Sequence, residues 1–311
     1  MSTLIPTDNE SLNTYYIKTE EEFVQLIKSN NLDSALKLNP GLMAKFEDLL
    51  NFAFVNAYEK NNYSNRSHLF LQRVLYYINR LNFFWFDDIE NYINEDSTAL
   101  FSLSKQIEAE WAKWELNHVQ IDSLECLPYE EALNNRVNED LNPLPTEETL
   151  FLRNEMIQSG YKRLLAITSL DGLVEASQLS RVLGGVGNEI QLMLAKIFWE
   201  EYGGGKLSHK HSSYFINMLK ELNMETVPEA YFDVVPWEVL ANINHSFLLS
   251  EKKKNYLRYV GGLLYIEVSA PSAFLNYQKA GERIGLTEAA TGYWSTHIKE
   301  DIRHGEWMLN K

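Results

Sequence analysis

A chain of 311 residues, 45% hydrophobic and 23% charged, is long enough to bury a core as one large domain or two smaller ones. The formal charge of −15, with no basic patch to offset it, excludes a nucleic-acid partner. Cys126 is the single cysteine, which excludes an intrachain disulfide and points to a reducing compartment. No basic-then-apolar leader opens the chain, and no apolar run reaches the roughly 18 residues of a membrane span. A cytoplasmic protein with no membrane partner is expected. With 15 Gly, 8 Pro and few alternating stretches, the chain should be mostly helical.

Residues 1 to about 18 are polar and expected to be ordered only by what they pack against. Thr19-Glu20-Glu21-Glu22 has the form of a helix cap with an acidic first turn, leading into Phe23, Leu26 and Ile27. Phe46 to Phe54 predicts a second helix, Leu69 to Phe84 a third, and Thr98 to Leu116 a fourth with Trp111 and Trp114 at i and i+3. These aromatic stripes are expected to be core, with an oligomer interface as the alternative. His68 and His118 have no metal-binding companions and are expected to be structural or surface residues. Asn134 to Thr146, with four Asn and two Pro, predicts a loop, and Thr146-Glu147-Glu148 starts a new helix. A boundary between 120 and 146 follows, giving an N-terminal helical extension over 1–130 and a core over 131–311.

The acids of the second half fall on apolar faces. Gly187 to Glu201 predicts an apolar helix on which Phe198, Ile197, Leu194 and Ile190 share the face of Glu201, so Glu201 points inward and Glu200 outward. A carboxylate buried alone costs several kcal/mol, so Glu201 requires a cation, a proton or a metal. Gly203-Gly204-Gly205 ends that helix, and His211 opens the next; His209 is the weaker ligand candidate. Glu267 follows Tyr256, Val260, Leu263 and Leu264 on one face, with a bend or break expected at Ser269-Ala270-Pro271. Glu175 is a third acid, on a shorter apolar stretch, whereas Glu189 and Glu282 are expected at the surface. Finally His297, Asp301 and His304 stand at i, i+4 and i+7 of one helix and project from one face, a pattern that suits a divalent metal of the iron, manganese or zinc type, with a solvated polar stripe as the alternative. Two buried carboxylates and four donors of this kind exceed one tetrahedral zinc and suit two ions bridged by a carboxylate.

Glu201-Tyr-Gly-Gly-Gly with His211, then Tyr265-Ile-Glu267-Val-Ser-Ala-Pro, then His297-x3-Asp301-x2-His304, resembles the haem-oxygenase-like di-iron oxidases, also described as iron-containing redox enzymes, over about residues 150–311. The spacing is most similar to their nitrosourea-forming, N-oxygenating branch. The resemblance implies an all-α, haem-oxygenase-like helical bundle with an N-terminal extension used for homodimerisation. It implies two Fe2+ ions with Glu201 as bridge, His211, Asp301 and His304 on one ion, and Glu267 and His297 on the other. Glu175 matches an additional carboxylate ligand of the N-oxygenating members, so Glu201 and Glu175 are the expected catalytic carboxylates. No cupin chemistry is expected, because no segment here matches the cupin domain of that branch.

The function implied is a di-iron oxygenase of specialised metabolism that uses O2 as co-substrate to N-oxygenate an amine of a small molecule, an amino acid or amino-heterocycle, with an external electron donor. The same irons cleaving or desaturating an aliphatic or amino acid is the alternative within the enzymes. A metal-free helical binding or interaction module is the alternative outside them, and the acids on apolar faces argue against it. Tyr202, Tyr265, Tyr293 and Trp294 flank the proposed ligands and are expected to pack rather than to orient them; Arg258, Arg283 and Arg303 could each clamp a carboxylate but are expected at the surface.

Overall fold

The computed structural model describes residues 5–6, 8–59, 64–83, 89–119, 126–185 and 187–310. The described residues are helical, with no strand among them. They divide into two compact units, residues 1–119 with 236–247 and residues 120–235 with 248–311. Residues 236–247, from the C-terminal half of the sequence, belong to the first unit.

In the first unit the helices are α1 (Asn9–Ile27), α2 (Leu32–Leu38), α3 (Ala44–Tyr58), α4 (Asn65–Phe83) and α5 (Thr98–Leu116). The first helix begins ten residues before the cap expected at Thr19. Asp8 caps it by accepting from the Ser11 N–H, and Thr19 and Glu20 are buried mid-helix. Arg73 forms a buried salt bridge with Glu20 at 3.0 Å. Its neighbours Phe23, Phe46 and Phe70 interlock, with Phe23 stacked on Phe46 at 4.5 Å. The aromatic stripes are core here: Trp111 is buried, and His68 is buried with its ring stacked on Trp237. The expected end of the third helix at Phe84 lies outside the described residues.

The second unit holds α6 (Tyr129–Leu141), α7 (Glu147–Asn154), α8 (Gln158–Gly172), α9 (Glu189–Glu201), α10 (His211–Glu221), α12 (Tyr256–Arg283) and α13 (Glu288–Leu309). Between them α11 (Trp237–Glu251) runs from one unit into the other. Most of the Asn-rich stretch expected as a loop is the second half of α6. Arg136 grips Asp140 one turn on through two hydrogen bonds, and the true linker is only residues 142–146. Thr146 caps α7 as expected.

The long pair α12 and α13 is the frame of this unit, with α10 and α9 laid against α13 and α7 and α6 against α12. The break expected at Pro271 does not occur, and α12 runs through it. One missing N–H and one crowded carbonyl are absorbed in a helix of 28 residues held along its length by α13. Two apolar clusters form. One contains Leu194, Ile197, Val268 and Met308, the other Tyr161, Phe215, Tyr293 and Trp294. The stretch of α13 between Trp294 and Met308 joins them, and the polar residues of interest lie on it.

Candidate metal centre

Helical spacing places His297, Asp301 and His304 on one face of α13, and all three are buried. Glu201 ends α9 and is buried facing them; Glu267 comes from the middle of α12. His211 opens α10, brought back to Glu201 by the three glycines. Gly203, Gly204 and Gly205 all have positive φ, and a Cβ on Gly203 would stand 2.4 Å from the backbone of His209 and Lys210. Only glycine lets the chain double back this tightly. His209 itself is exposed, away from the cluster, and Glu189 and Glu282 are at the surface.

Glu175 sits not in a helix but in the turn after α8, beside Ala176 at φ +61°. Its carboxylate lies 2.9 Å from His297 Nε2 and accepts the Tyr293 hydroxyl at 2.8 Å. Tyr293 therefore touches a proposed ligand, which the packing expectation for it had not included. Trp294 packs as expected, donating to the Tyr161 hydroxyl, and Tyr265 is exposed.

The donors converge as three overlapping sets, one of them Glu200, Glu300 and His304 and the other two sharing Glu201. Glu175, Glu201, His211 and His297 can bring one atom each within 4.8 Å of one another, and so can Glu201, Asp301 and His304. Glu201 is common to both, the position of a bridge. Glu267 joins the second set, 3.1 Å from His304 Nδ1. This grouping differs from the one the resemblance implied, which put His211 with Asp301 and His304, and Glu267 with His297. The pitch of α13 is the reason. His297 and His304 are about 10 Å apart along the axis, and α10 places His211 Nδ1 3.0 Å from His297 Nε2.

Each histidine turns one nitrogen inward and has the other held by an acceptor. His211 Nδ1 faces Glu201 at 2.8 Å while Nε2 meets Glu300 at 3.0 Å. His304 Nδ1 faces Glu267 while Nε2 meets Glu200 at 3.0 Å. His297 Nε2 faces Glu175 while Nδ1 donates to the Tyr293 carbonyl at 2.8 Å. An acceptor on the outer nitrogen fixes the tautomer that leaves the inner lone pair free for a metal.

Glu200 was expected to be the exposed member of its pair. It is half-buried, bonded to His304 and to Arg303, so Arg303 is also not a bystander. The sequence reading missed Glu300 altogether. One signal was available: in both Glu200-Glu201 and Glu300-Asp301 the second acid faces inward, and the first flanks it within reach of a histidine. Truncating Glu300 to alanine is expected to weaken metal affinity roughly tenfold to a hundredfold. Competition with a chelator measures this, and an unchanged affinity would make Glu300 a bystander.

The electrostatics of the metal-free cluster show what it lacks. Burial pushes the Asp301 and Glu267 carboxyls up, Asp301 well above the carboxylate range and helped there by Glu267 and Glu201. Burial alone would drive the histidines neutral, yet hydrogen bonds to Glu201 and Glu300 hold His211 at about 10. Those to Glu267 and Glu200 hold His304 at about 9. His297 lies well above its ordinary value despite burial, because Glu175, Asp301 and Glu201 surround it. Protons thus stand in for missing positive charge. The four carboxylates Glu175, Glu201, Glu267 and Asp301 carry the charge that two divalent ions would cancel with all three imidazoles neutral. Nitrogen and oxygen donors without thiolate suit a divalent ion of the iron, manganese or zinc type.

Residues 162–311 match the family of iron-containing redox enzymes. The matched stretch contains every residue of the cluster and has the all-α, haem-oxygenase-like fold. A nitrosourea synthase from Streptomyces achromogenes subsp. streptozoticus is 28% identical over 141 residues. That alignment takes in 45% of this chain and 30% of the relative, so the chain matches less than a third of that protein's length. Together they support an oxidoreductase that binds iron. No helix among the described residues is long and apolar enough to cross a membrane.

Proposed function

We propose that this iron-containing redox enzyme homologue holds two non-haem irons and uses O2 to N-oxygenate an amine of a small molecule. The observation that carries the reading is Glu201 shared between two donor sets, with Glu175 completing the first beside His297. Ferrous ions bound there would supply electrons and open coordination positions for O2. One oxygen atom enters the substrate N–H bond to give a hydroxylamine and the other leaves as water, which consumes two electrons and two protons from an external donor.

The chain's own residues prepare that site. Glu300, Glu200 and the Tyr293 carbonyl lock the three imidazoles with a lone pair inward. The Tyr293 hydroxyl fixes one Glu175 oxygen and leaves the other without a hydrogen-bond partner, an acceptor prepared for a cation. Burial of Glu201, Glu267, Asp301 and the histidines between two apolar clusters excludes bulk water and strengthens every charge interaction. The N-terminal unit serves as a homodimerisation element in this reading.

The test is anaerobic reconstitution with Fe(II), then O2 with a panel of primary amines and aliphatic acids, read by mass spectrometry. About two irons per chain and oxidation at nitrogen are expected. Glu175→Ala is expected to keep the fold and most of the iron while lowering amine turnover by at least about tenfold. Saturation at one tight ion sinks the two-iron reading; turnover of acids in place of amines moves the function to carbon–carbon or carbon–hydrogen oxidation.

A further inference from the structure

Glu200, Glu300 and His304 make a donor set of their own, one atom of each standing within 4.8 Å of the others. Helical pitch puts the two acids there. Glu200 and Glu300 each precede an acid that faces the cluster, so each lies about 100° round its helix from that acid. With α9 laid against α13, their carboxylates meet at the edge of the centre. Two like charges this close repel, and holding both in place calls for a cation between them.

That cation is not a metal. His304 turns Nδ1 towards Glu267 and Nε2 towards Glu200, so the nitrogen it offers this set is the one that carries the proton. Arg303 supplies the charge instead. Its Nη2 donates at 2.5 Å to Glu200 Oε2, the oxygen that also meets His304 Nε2. The same nitrogen lies 3.9 Å from Glu300 Oε1, and the other Glu300 oxygen meets His211 Nε2 at 3.0 Å. Trp307, one turn on, seats the guanidinium 5.2 Å from its ring centroid and packs against the His304 ring. A line of polar contacts therefore runs from His211 through Glu300, Arg303 and Glu200 to His304, and its two ends belong to the two donor sets that share Glu201.

We propose that Arg303 is a positioning residue for both metal ions, acting on each through the carboxylate that holds the outer nitrogen of its histidine. The inference rests on the two-iron reading, and it adds an outer tie between the two positions that Glu201 bridges from inside. Without the guanidinium the two carboxylates swing apart, and both imidazoles lose the acceptor that fixes their tautomer. The closer contact with Glu200 makes the ion on His304 the more sensitive of the two.

Anaerobic titration with Fe(II) against a chelator tests this, each position being isolated in turn. His211→Ala leaves the set containing His304 as the tight site, and His304→Ala leaves the set containing His211. Arg303→Met removes the charge and keeps an apolar stem on Trp307; the Arg303 side chain is 40% exposed, so the change does not threaten folding. It should lower iron affinity at least about tenfold in the His211→Ala background and at least about threefold in the His304→Ala background. Arg303→Lys should restore most of both, because a single nitrogen makes both contacts. Glu300→Ala is the one-sided control. It should weaken only the ion held by His211, and once it is made, Arg303→Met should cost that ion nothing further. Unchanged affinity, a loss confined to one background, or equal losses with methionine and lysine overturn the inference. A parent protein that saturates at one iron sinks the two-iron reading and this inference together, whereas two irons of which only one responds to Arg303→Met sinks the inference alone.

Discussion

Glu201→Ala is expected to abolish uptake of both irons, whereas truncation of a histidine ligand in only one donor set, such as His211, should leave about one. No other residue belongs to both of the sets that share Glu201, so its loss removes a ligand from each ion at once. The metal-free variant should still fold, because removing this carboxylate relieves the buried acids Glu267 and Asp301, both of which it pushes upward. The parent protein supplies the accompanying pH signature. His211 and His304, held at about 10 and 9, must surrender protons before they ligate, so metal affinity should climb steadily between pH 6 and 8. The stability of the metal-free protein runs the other way. Histidines raised on folding contribute fully below about pH 6.5, and that contribution is lost as pH rises towards 9 and 10. Thermal melts with and without Fe(II) across that range should diverge; parallel curves, or a Glu201→Ala protein that still binds one tight iron, would remove Glu201 from the bridging position.

Gly203→Ala should disrupt the centre from outside it. A left-handed backbone costs a residue with a Cβ roughly 1–2 kcal/mol, and here the methyl would also stand 2.4 Å from the backbone of His209 and Lys210. The strap between α9 and α10 must open to admit it, which draws His211 away from Glu201 and His297. Loss of at least about tenfold in iron affinity together with a lowered melting temperature is expected. Gly204→Ala is the control. Its φ is +60°, but the nearest atom is an ordinary 3.6 Å contact with the Trp199 ring, so it carries the backbone strain without the clash. If the two variants lose iron equally, backbone strain and not the close approach governs the strap.

Helical periodicity is a local property, and what depends on it was legible in the sequence. His297, Asp301 and His304 at i, i+4 and i+7 can only share a face of α13, and Glu201 and Glu267 on apolar faces can only point inward. The all-helical fold, the Thr98 to Leu116 helix and the Thr146 cap follow from the same short-range rules. Those rules erred where a distant contact outweighed them. A cap signature at Thr19 was overridden by burial against α4, with Arg73 answering Glu20, and the Pro271 break was overridden by the length of α12 packed on α13. Glu175 had too little periodic context to be placed by pattern and entered through resemblance alone; the tertiary structure seats it in a turn against His297 and Tyr293. Only the approach of α9, α10, α12 and α13 decided which histidine meets which acid, which imidazole nitrogen turns inward, and that Glu200 and Glu300 hold the outer ones. A cavity beside Glu267 likewise belongs to neither helix alone, being walled by residues of both α12 and α13. A face is set by a few consecutive residues, but a site is set by the distance between faces, and that distance comes from packing across the whole unit.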